Sequence, residues 1–472
     1  MSRLDQARAV VSLVTDSVRA WLPSPEGERS EAGIPTDAGD RRTQLSRLGT
    51  SAWLRIRLAR LRGRLMNEEQ RKQVVQDAVV RTAADALEVV GNMKGAMMKL
   101  AQFASFQPGL PEGARDKLKE LQAGAPPMTD ELAATCIERE LGGAPDEVYA
   151  TFEPSPIAAA SIGQVHRATT RDGRDVAVKI QYPGVDEAIR SDLTNAASFI
   201  KTMQAAMSDD ADISDHLAEV AGRVGEELDY RLEAKNQAWF ASRYAGHPFV
   251  TVPRVIDDLT TSRVLTSEFV RGRSFYDVLD LPQAQRDAFG EIIFRFAFTS
   301  VFSDGIFSGD PHPGNYLFCD DGRVCFLDFG LVKQTTPDER LLLRGPMEAM
   351  VNGDRAGLRA SLEGLGVLRD GAEVDVDTLW RFFGRVLGPV DEDKRHACSL
   401  EADHERWDDD ERDRFRTLRN SLDFPAAVIF FMRYRRGTWA VLAHLGAEAN
   451  WHRIMREILF GDEPTTEIGR RW

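Results

Sequence analysis

The sequence predicts an α+β protein with two lobes, a small β-sheet followed by a mostly helical region. Alternating β-branched residues flank a "DGR" turn within residues 161–184, a pattern typical of a β-hairpin. From residue 284 onward the pattern is helical, except for a second short hairpin within "SGDPHPGNYLFCDDGRVCFLDFG" (308–330). An apolar content of 43% with 28% charged residues is typical of a folded, soluble protein.

The net charge and the cysteines indicate which partners and which compartment the protein has. The net charge of −14 argues against nucleic acid as a partner, because a nucleic-acid binder needs a basic face. The cysteines show no zinc-binding spacing and indicate reduced thiols in a cytoplasmic protein. A spanning helix needs about 18 apolar residues, and the best candidate, "PAAVIFFMRYRRGTWAVLAHL" (425–445), is interrupted by Arg433, Arg435 and Arg436. We therefore expect a cytoplasmic location.

The order of patterns along the chain predicts four regions. They are a helical extension with a linker at 1–80, a second helical region at 81–128, a sheet lobe at 129–272 and a helical lobe at 273–472. Residues 129–153 are expected to form a helix at the start of the sheet lobe.

Residues 51–66, "SAWLRIRLARLRGRLM", predict a basic amphipathic helix. Four leucines fall on one stripe and five arginines occupy the other faces. Such a helix can lie on an anionic membrane, which would give the protein a peripheral membrane or lipid contact. Docking on an acidic surface of the protein itself explains the pattern equally well.

Lys179 lies within the apolar strand pattern "VAVKI". Strand alternation places Lys179 with Ala177 on one face, opposite the flanking valine and isoleucine side chains. A lysine that faces inward needs an anion to offset its desolvation. The following segment "EELDYRLEAKN" (226–236) offers several carboxylates on a predicted helix, although a solvated acidic face is the simpler interpretation of that segment alone.

Asp310, Asn315 and Asp328 are spaced around the second hairpin in a way that phosphoryl-transfer enzymes of the kinase type use. There one Asp orients the nucleophile, an Asn five positions on binds magnesium, and the Asp of "DFG" binds it after the hairpin. Magnesium prefers oxygen ligands and needs only one or two side chains beside phosphate and water. The three residues therefore predict a magnesium-dependent phosphoryl-transfer site.

Four separated segments together resemble the UbiB (ADCK-type) family of atypical protein-kinase-like proteins. "KGAMMKLAQ" (94–102) is similar to the family's KxGQ motif, "AAASIGQVHRA" (158–168) to its alanine-rich loop, "EELDYRLEAKN" to its ExD motif, and "GDPHPGN…LDFG" to its catalytic loop and metal site. Two departures are Ala101 in place of the KxGQ glycine and Ser308 where kinases commonly have histidine.

The resemblance implies a two-lobed protein-kinase-like fold, preceded by a KxGQ-type helical extension, with ATP and magnesium as cofactors. It implies catalytic roles for Asp310, Lys179 and Glu233 and magnesium ligation by Asn315 and Asp328. Nucleotide contacts are expected from Ala158, Ala159, Ala160, Ser161, Lys179, Glu268 and Val270, with Ala177 and Leu317 on either side of the adenine. Lys99 and Gln102 are expected to fold over the cleft, where Lys99 meets Glu227 and Asp229.

Three hypotheses about function remain open on the sequence. The first is an ATP-binding, kinase-like enzyme with magnesium-dependent ATPase or small-molecule phosphotransferase activity, which supports quinone or isoprenoid lipid metabolism as UbiB relatives do. The second is a non-catalytic scaffold gated by nucleotide, because three alanines restrict the loop over the phosphates. The third is an antibiotic-type phosphotransferase, because "GDPHPGN" also resembles the loop of aminoglycoside kinases. Protein phosphorylation is not expected.

Overall fold

A computed structural model describes residues 128–160, 162–185, 228–369, 371–388, 390–398, 418 and 421–472. They all belong to one compact unit, Thr36–Trp472. The amphipathic segment 51–66 and the predicted residues Lys99, Gln102, Ser161 and Glu227 lie outside the described residues. The four predicted regional boundaries stay predictions.

The helices of the described residues are numbered in chain order. They are α1 (Asp130–Leu141), α2 (Pro145–Val148), α3 (Tyr230–Arg243), α4 (Gln283–Thr299), α5 (Pro337–Val351), α6 (Arg355–Gly364), α7 (Val376–Leu387), α8 (Ala426–Leu445), α9 (Trp451–Phe460) and α10 (Glu467–Arg471).

The strands are short and fall into small sheets. They are β1 (Tyr149–Phe152), β2 (Ala158–Ala160), β3 (Gly163–Thr170), β4 (Asp175–Gln181), β5 (Val250–Thr251), β6 (Val264–Glu268), β7 (Ile306–Ser308), β8 (Tyr316–Phe318), β9 (Val324–Phe326), β10 (Val332–Gln334), β11 (His396–Ala397) and β12 (Glu448–Ala449).

The first lobe is built on an antiparallel sheet in the order β1-β3-β4-β6, with β2 also paired to β3. The predicted "DGR" turn joins β3 to β4, and Gly173 adopts a positive φ of 87° there, which glycine tolerates without strain. Along β4 the side chains alternate between buried and half-buried positions. The valines and Ile180 face the core while Ala177 and Lys179 face the opposite side, as the sequence pattern predicts.

The prediction of one helix over 129–153 was wrong beyond Leu141. Thr129 caps α1 through its side chain, and Gly142 ends the helix in the left-handed conformation with φ of 80°. The chain then makes the short α2, whose first residue is Pro145, and enters β1. The helical periodicity of this segment therefore stops at the glycine pair, and "YATF" forms the edge strand that pairs with β3.

The second lobe packs its helices around α4, which is buried from Phe289 to Thr299. α8 and α9 pack against α4, α5 packs against α8 and α9, and all four helices share one apolar core. The hairpin β8–β9 lies beside this core, with β5 added in parallel to β9, and β7 pairs with β10. Among the described helices, none combines the length and the apolar character needed to cross a bilayer.

Candidate functional site

Lys179 and Glu233 meet between the sheet and α3. Strand β4 directs Lys179 away from the core face, and α3 brings Glu233 towards it. Lys179 Nζ donates to both carboxylate oxygens of Glu233, at 2.7 and 2.9 Å. Glu233 is only 4% exposed. The anion beside the inward lysine is therefore Glu233, one of the carboxylates that "EELDYRLEAKN" offers.

Electrostatics keep this lysine charged. Burial alone lowers the pKa of Lys179, but attraction by Glu233, with a further contribution from Asp328, leaves that pKa above its ordinary value. The ammonium also lies 5.0 Å from the centre of the Tyr230 ring, within cation–π range. Lys179 thus presents a fixed positive charge at the edge of the cleft.

The predicted catalytic loop, residues 308–315 and called the catalytic loop below, runs from the end of β7 to the start of β8. A 3₁₀ turn over Pro313–Asn315 leads into β8, and the Asn315 amide nitrogen donates to the backbone carbonyl of Asp310 at 2.8 Å. The backbone carbonyl of Asn315 accepts the N–H of Leu327 at 3.0 Å. The bond to Asp310 orients the side-chain amide of Asn315, whose side-chain oxygen is the atom suited to a cation.

Asp328 follows β9 and is held by its neighbours. The Gly330 N–H donates to Asp328 Oδ1 at 3.0 Å, and Ser308 Oγ donates to the Asp328 backbone carbonyl at 3.3 Å. Asn236 of α3 donates to the carbonyl of Phe329 at 3.1 Å. The "DFG" segment is therefore tied to the catalytic loop on one side and to α3 on the other.

Asp310, Asn315 and Asp328 line one cavity of about 20 Å³. That volume suits a water molecule or a bare cation rather than a nucleotide. Within the described residues, no cluster of three or more His, Cys, Asp or Glu side chains could hold a metal ion on its own. A magnesium site needs fewer protein ligands, since it keeps water and takes phosphate oxygens, and a carboxylate accepts about four hydrogen bonds or ligands. The donor set fits magnesium bound together with a phosphate.

The alanine-rich segment forms β2, the short edge strand of a hairpin with β3. Ala158 and Ala159 are exposed, and Ala160 pairs with Gly163. A Cβ added to Gly163 would overlap the backbone carbonyl of Ile180 and lie 3.0 Å from the Tyr230 hydroxyl. The close approach of β3 and β4 at this point therefore requires glycine.

The remaining predicted residues have other partners in the structure. The Glu268 N–H donates to the Arg254 carbonyl at 2.9 Å, and its carboxylate pairs with the Arg254 guanidinium. Val270 is half-buried beyond the end of β6. Asp229 caps α3, because its side chain accepts the N–H of Arg231 at 3.0 Å. The contacts of Glu268 and Val270 with adenine, and of Asp229 with Lys99, stay predictions.

Sequence reasoning missed three residues that shape this site. They are Tyr230 beside Lys179, Asn236 beneath "DFG", and Arg433, whose guanidinium lies 3.5 Å from Asp310. Arg433 carried a signal, since a charged residue in an otherwise apolar helix needs a partner. Nothing in the pattern indicated which carboxylate that partner was.

A small antiparallel sheet, a helical lobe and a charged cleft between them place the molecule among the protein-kinase-like folds. The family model described as "ABC1 atypical kinase-like domain" matches residues 120–362, slightly more than half of the chain. The chain therefore belongs to the ABC1 atypical kinase-like family, also known as the aarF, ADCK or UbiB family, which confirms the resemblance inferred from its motifs.

Individual relatives agree with this membership. An uncharacterized aarF domain-containing protein kinase of Arabidopsis thaliana is 34% identical over 337 residues, which cover 70% of this chain and 46% of the relative. The protein ACTIVITY OF BC1 COMPLEX KINASE 3 of the same plant is 32% identical over 336 residues, 68% of this chain and 46% of that protein. The matched region thus spans less than half the length of these plant relatives.

Among solved structures, the complex of Rv3197 with erythromycin from Mycobacterium tuberculosis is similar to this chain. It has a TM-score of 0.61 and 29% sequence identity, and the match covers 83% of this chain and all of that one. This similarity agrees with the kinase-like fold described above.

Proposed function

We propose that the protein binds ATP with magnesium and either hydrolyses it or transfers its terminal phosphoryl group to a small molecule. The observation that carries the proposal is the arrangement of the cleft. Lys179 is held by Glu233 on one side, while Asp310, Asn315 and Asp328 line a single cavity on the other. One fixed cation and a group of oxygen donors are what a magnesium triphosphate requires.

Each residue has a role that follows from its chemistry. Lys179 neutralises the phosphates nearest the sheet, and Glu233 keeps that lysine in place. Asn315 and Asp328 hold the magnesium ion, which would offset the negative charge of the phosphates. Asp310 orients the attacking hydroxyl or water molecule. Ala158, Ala159 and Ala160 cover the phosphates as the edge strand β2.

The test is magnesium-dependent release of ADP by the purified protein. Asp328→Asn should lower the rate by at least about 100-fold, since the variant loses the charged ligand of the cation. Asp320→Asn is the matched control, because Asp320 is 89% exposed in the turn between β8 and β9. Equal rates for wild type and Asp328→Asn would contradict the proposal.

A non-catalytic scaffold gated by nucleotide is the second candidate. Its support is the alanine strand, in which each Cβ removes part of the backbone freedom that a glycine loop provides. Tight magnesium-dependent ATP binding without ADP release, with detergent or lipid present, would favour the scaffold over the enzyme.

A hydroxylated small molecule is the acceptor class that the comparisons favour. The solved structure of Rv3197 contains erythromycin, a macrolide with several hydroxyl groups. A screen of hydroxylated compounds, macrolides and aminoglycosides among them, for uptake of labelled phosphate distinguishes transfer from hydrolysis. Release of inorganic phosphate alone would identify an ATPase.

We further propose a cytoplasmic protein that contacts a membrane surface through residues 51–66 and supports quinone or isoprenoid lipid metabolism. The support for the membrane contact is the helical spacing of leucines on one stripe and arginines on the other faces of that segment, and the support for the metabolic role is the resemblance to UbiB relatives. Binding to anionic vesicles should be weak and should disappear at high salt, because screening removes the attraction of the arginines. Unchanged vesicle binding after Arg55, Arg57 and Arg60 are replaced by Glu would contradict the contact.

A further inference from the structure

Helix α8 packs directly against the catalytic loop. A Cβ added to Gly309 would overlap the ring of Phe430, and one added to Gly437 would lie 2.5 Å from Pro311 Cγ. Phe430 and Gly437 are seven residues apart and therefore lie on the same face of the helix. Because Gly309 on the loop and Gly437 on the helix have no Cβ, the two backbones can approach closely.

Arg433 lies between these two contacts, and Asp310 lies between Gly309 and Pro311. Arg433 Nη2 is 3.5 Å from Asp310 Oδ1, and the two side chains are only 17% and 18% exposed. Burial lowers the pKa of Arg433, and the attraction of Asp310 opposes that effect. An arginine remains charged under these conditions, so the pair joins a partly buried cation to the carboxylate in the cleft.

The loop contains no lysine or arginine that could take the place of Arg433. From Ser308 to Asn315 the sequence "SGDPHPGN" has neither lysine nor arginine. Helix α8 lies beyond residue 362, the last residue that the family model matches. The positive charge beside Asp310 therefore comes from a helix outside the segment that the family model matches.

We propose that Arg433 is a positioning residue, which α8 holds against the catalytic loop so that its guanidinium orients the Asp310 carboxylate in the cleft. This inference rests on the proposed function, since it concerns how Asp310 works in ATP turnover. The packing of Phe430 and Gly437 fixes the helix, and the ion pair then fixes the direction of the carboxylate.

The first test measures ADP release by the full chain for three substitutions of Arg433. Arg433→Met keeps much of the volume but removes the charge, and kcat should fall about 10- to 100-fold while KM for ATP changes less than about 3-fold. Arg433→Lys should restore a large part of kcat. Added methylguanidinium should restore activity to Arg433→Ala, which a merely structural defect would not allow.

Arg453→Met is the matched control, because Arg453 pairs with Asp393 at 2.6 Å on the exposed surface of α9. Its kcat should equal that of wild type. A kcat for Arg433→Met within about twofold of wild type, or a loss that neither lysine nor methylguanidinium repairs, would overturn the proposal.

A second measurement does not depend on turnover. Urea unfolding of wild type, Asp310→Asn, Arg433→Met and the double variant forms a double-mutant cycle. If the two side chains act as a pair, the double variant should lose less stability than the sum of the single losses. Additive losses would overturn the role of Arg433 whether or not the wild type is active. An inactive wild type with a coupled pair would instead contradict the proposed function alone.

Discussion

Lys179 and Glu233 come from β4 and α3, and each offsets the burial of the other. The bond lengths of 2.7 and 2.9 Å and the 4% exposure of Glu233 make this a buried ion pair rather than a surface one. Such a pair adds little net stability compared with apolar residues, but the loss of one partner leaves an uncompensated charge. The pair is therefore better explained by function than by stability.

Glu233→Leu should lower the free energy of unfolding by about 3 kcal/mol, because Lys179 then remains buried without its anion. The double variant Lys179→Met with Glu233→Leu should recover most of that loss while ATP binding stays abolished. Urea denaturation and nucleotide titration measure the two effects. Arg254→Met, which breaks an exposed pair with Glu268, should cost less than about 1 kcal/mol and serves as the control. No recovery in the double variant would contradict this explanation.

His166 makes stability depend on pH. Its side chain is fully buried, with Nδ1 2.9 Å from the Glu153 carbonyl and Nε2 2.9 Å from the Gln164 amide nitrogen. Burial lowers the pKa of His166, although that carbonyl and Asp130 oppose the effect. The ordinary pKa is about 6.5, so below that pH the unfolded chain binds the proton more readily than the folded one.

The free energy of unfolding should therefore fall as the pH decreases below about 6.5, towards the lower pKa of the folded state. Urea unfolding of wild type and His166→Gln at several pH values measures this loss, and the variant should lose less stability between neutral and acidic pH. His247, whose pKa burial also lowers, is present in both proteins and cancels in the comparison. Identical pH dependence in the two proteins would show that His166 is not responsible.

Among the site residues, Lys179 was predictable and Arg433 was not. Strand alternation alone places Lys179 and Val178 on opposite faces of β4. A lysine that faces inward needs an acidic partner, because burying an unpaired charge is costly. Arg433 needs a partner for the same reason, but that partner lies 123 residues earlier in the chain. Only the packing of α8 on the loop reveals it.

At the scale of secondary structure, local signals decided which elements could be predicted. The turn of each predicted hairpin contains a glycine at positive φ, Gly173 in the first and Gly322 in the second. Both hairpins were predicted with the correct flanking strands. The predicted helix over 129–153 was too long, because the apolar spacing continues past Gly142, where the helix ends. The short strands β7, β10, β11 and β12 were not predicted, since two or three residues carry no clear period and, unlike β8 and β9, these strands do not flank a tight turn.

Gly163 fixes the distance between β3 and β4 at the end of the hairpin. Gly163→Ala should lower the free energy of unfolding by about 1–3 kcal/mol, because its Cβ would overlap the Ile180 carbonyl and force the strands apart. Gly364→Ala is the matched control at the end of α6, where an added Cβ meets no atom within 4 Å. Urea denaturation compares the two, and equal stabilities would mean that the strands adjust without cost.

At the scale of the whole molecule, the cleft joins elements that are far apart in the chain. Asn236 of α3 donates a hydrogen bond to "DFG", and Ser308 of the catalytic loop donates one to Asp328. Helix α8 of the second lobe packs against the same loop. A ligand that bridges Lys179 and Asp328 should therefore stabilise both lobes together.

ATP with magnesium should raise the melting temperature of the wild-type protein. The increase should grow with ligand concentration, because the ligand binds the folded state and not the unfolded state. ATP with EDTA should produce a smaller increase, because the phosphates then meet Lys179 without the cation. Thermal unfolding followed by circular dichroism measures the shifts. A shift that is the same with and without magnesium would contradict a site shared by metal and phosphate.

The central claim is that Asn315 and Asp328 together coordinate a divalent cation, which also binds the phosphates of ATP. The most direct measurement is a crystal structure with a non-hydrolysable ATP analogue and manganese, whose anomalous scattering locates the ion. We expect one anomalous peak at coordination distance from an Asp328 carboxylate oxygen and the Asn315 amide oxygen, in contact with the phosphates. A nucleotide bound with the cation elsewhere, or with these two side chains directed away from each other, would contradict the claim.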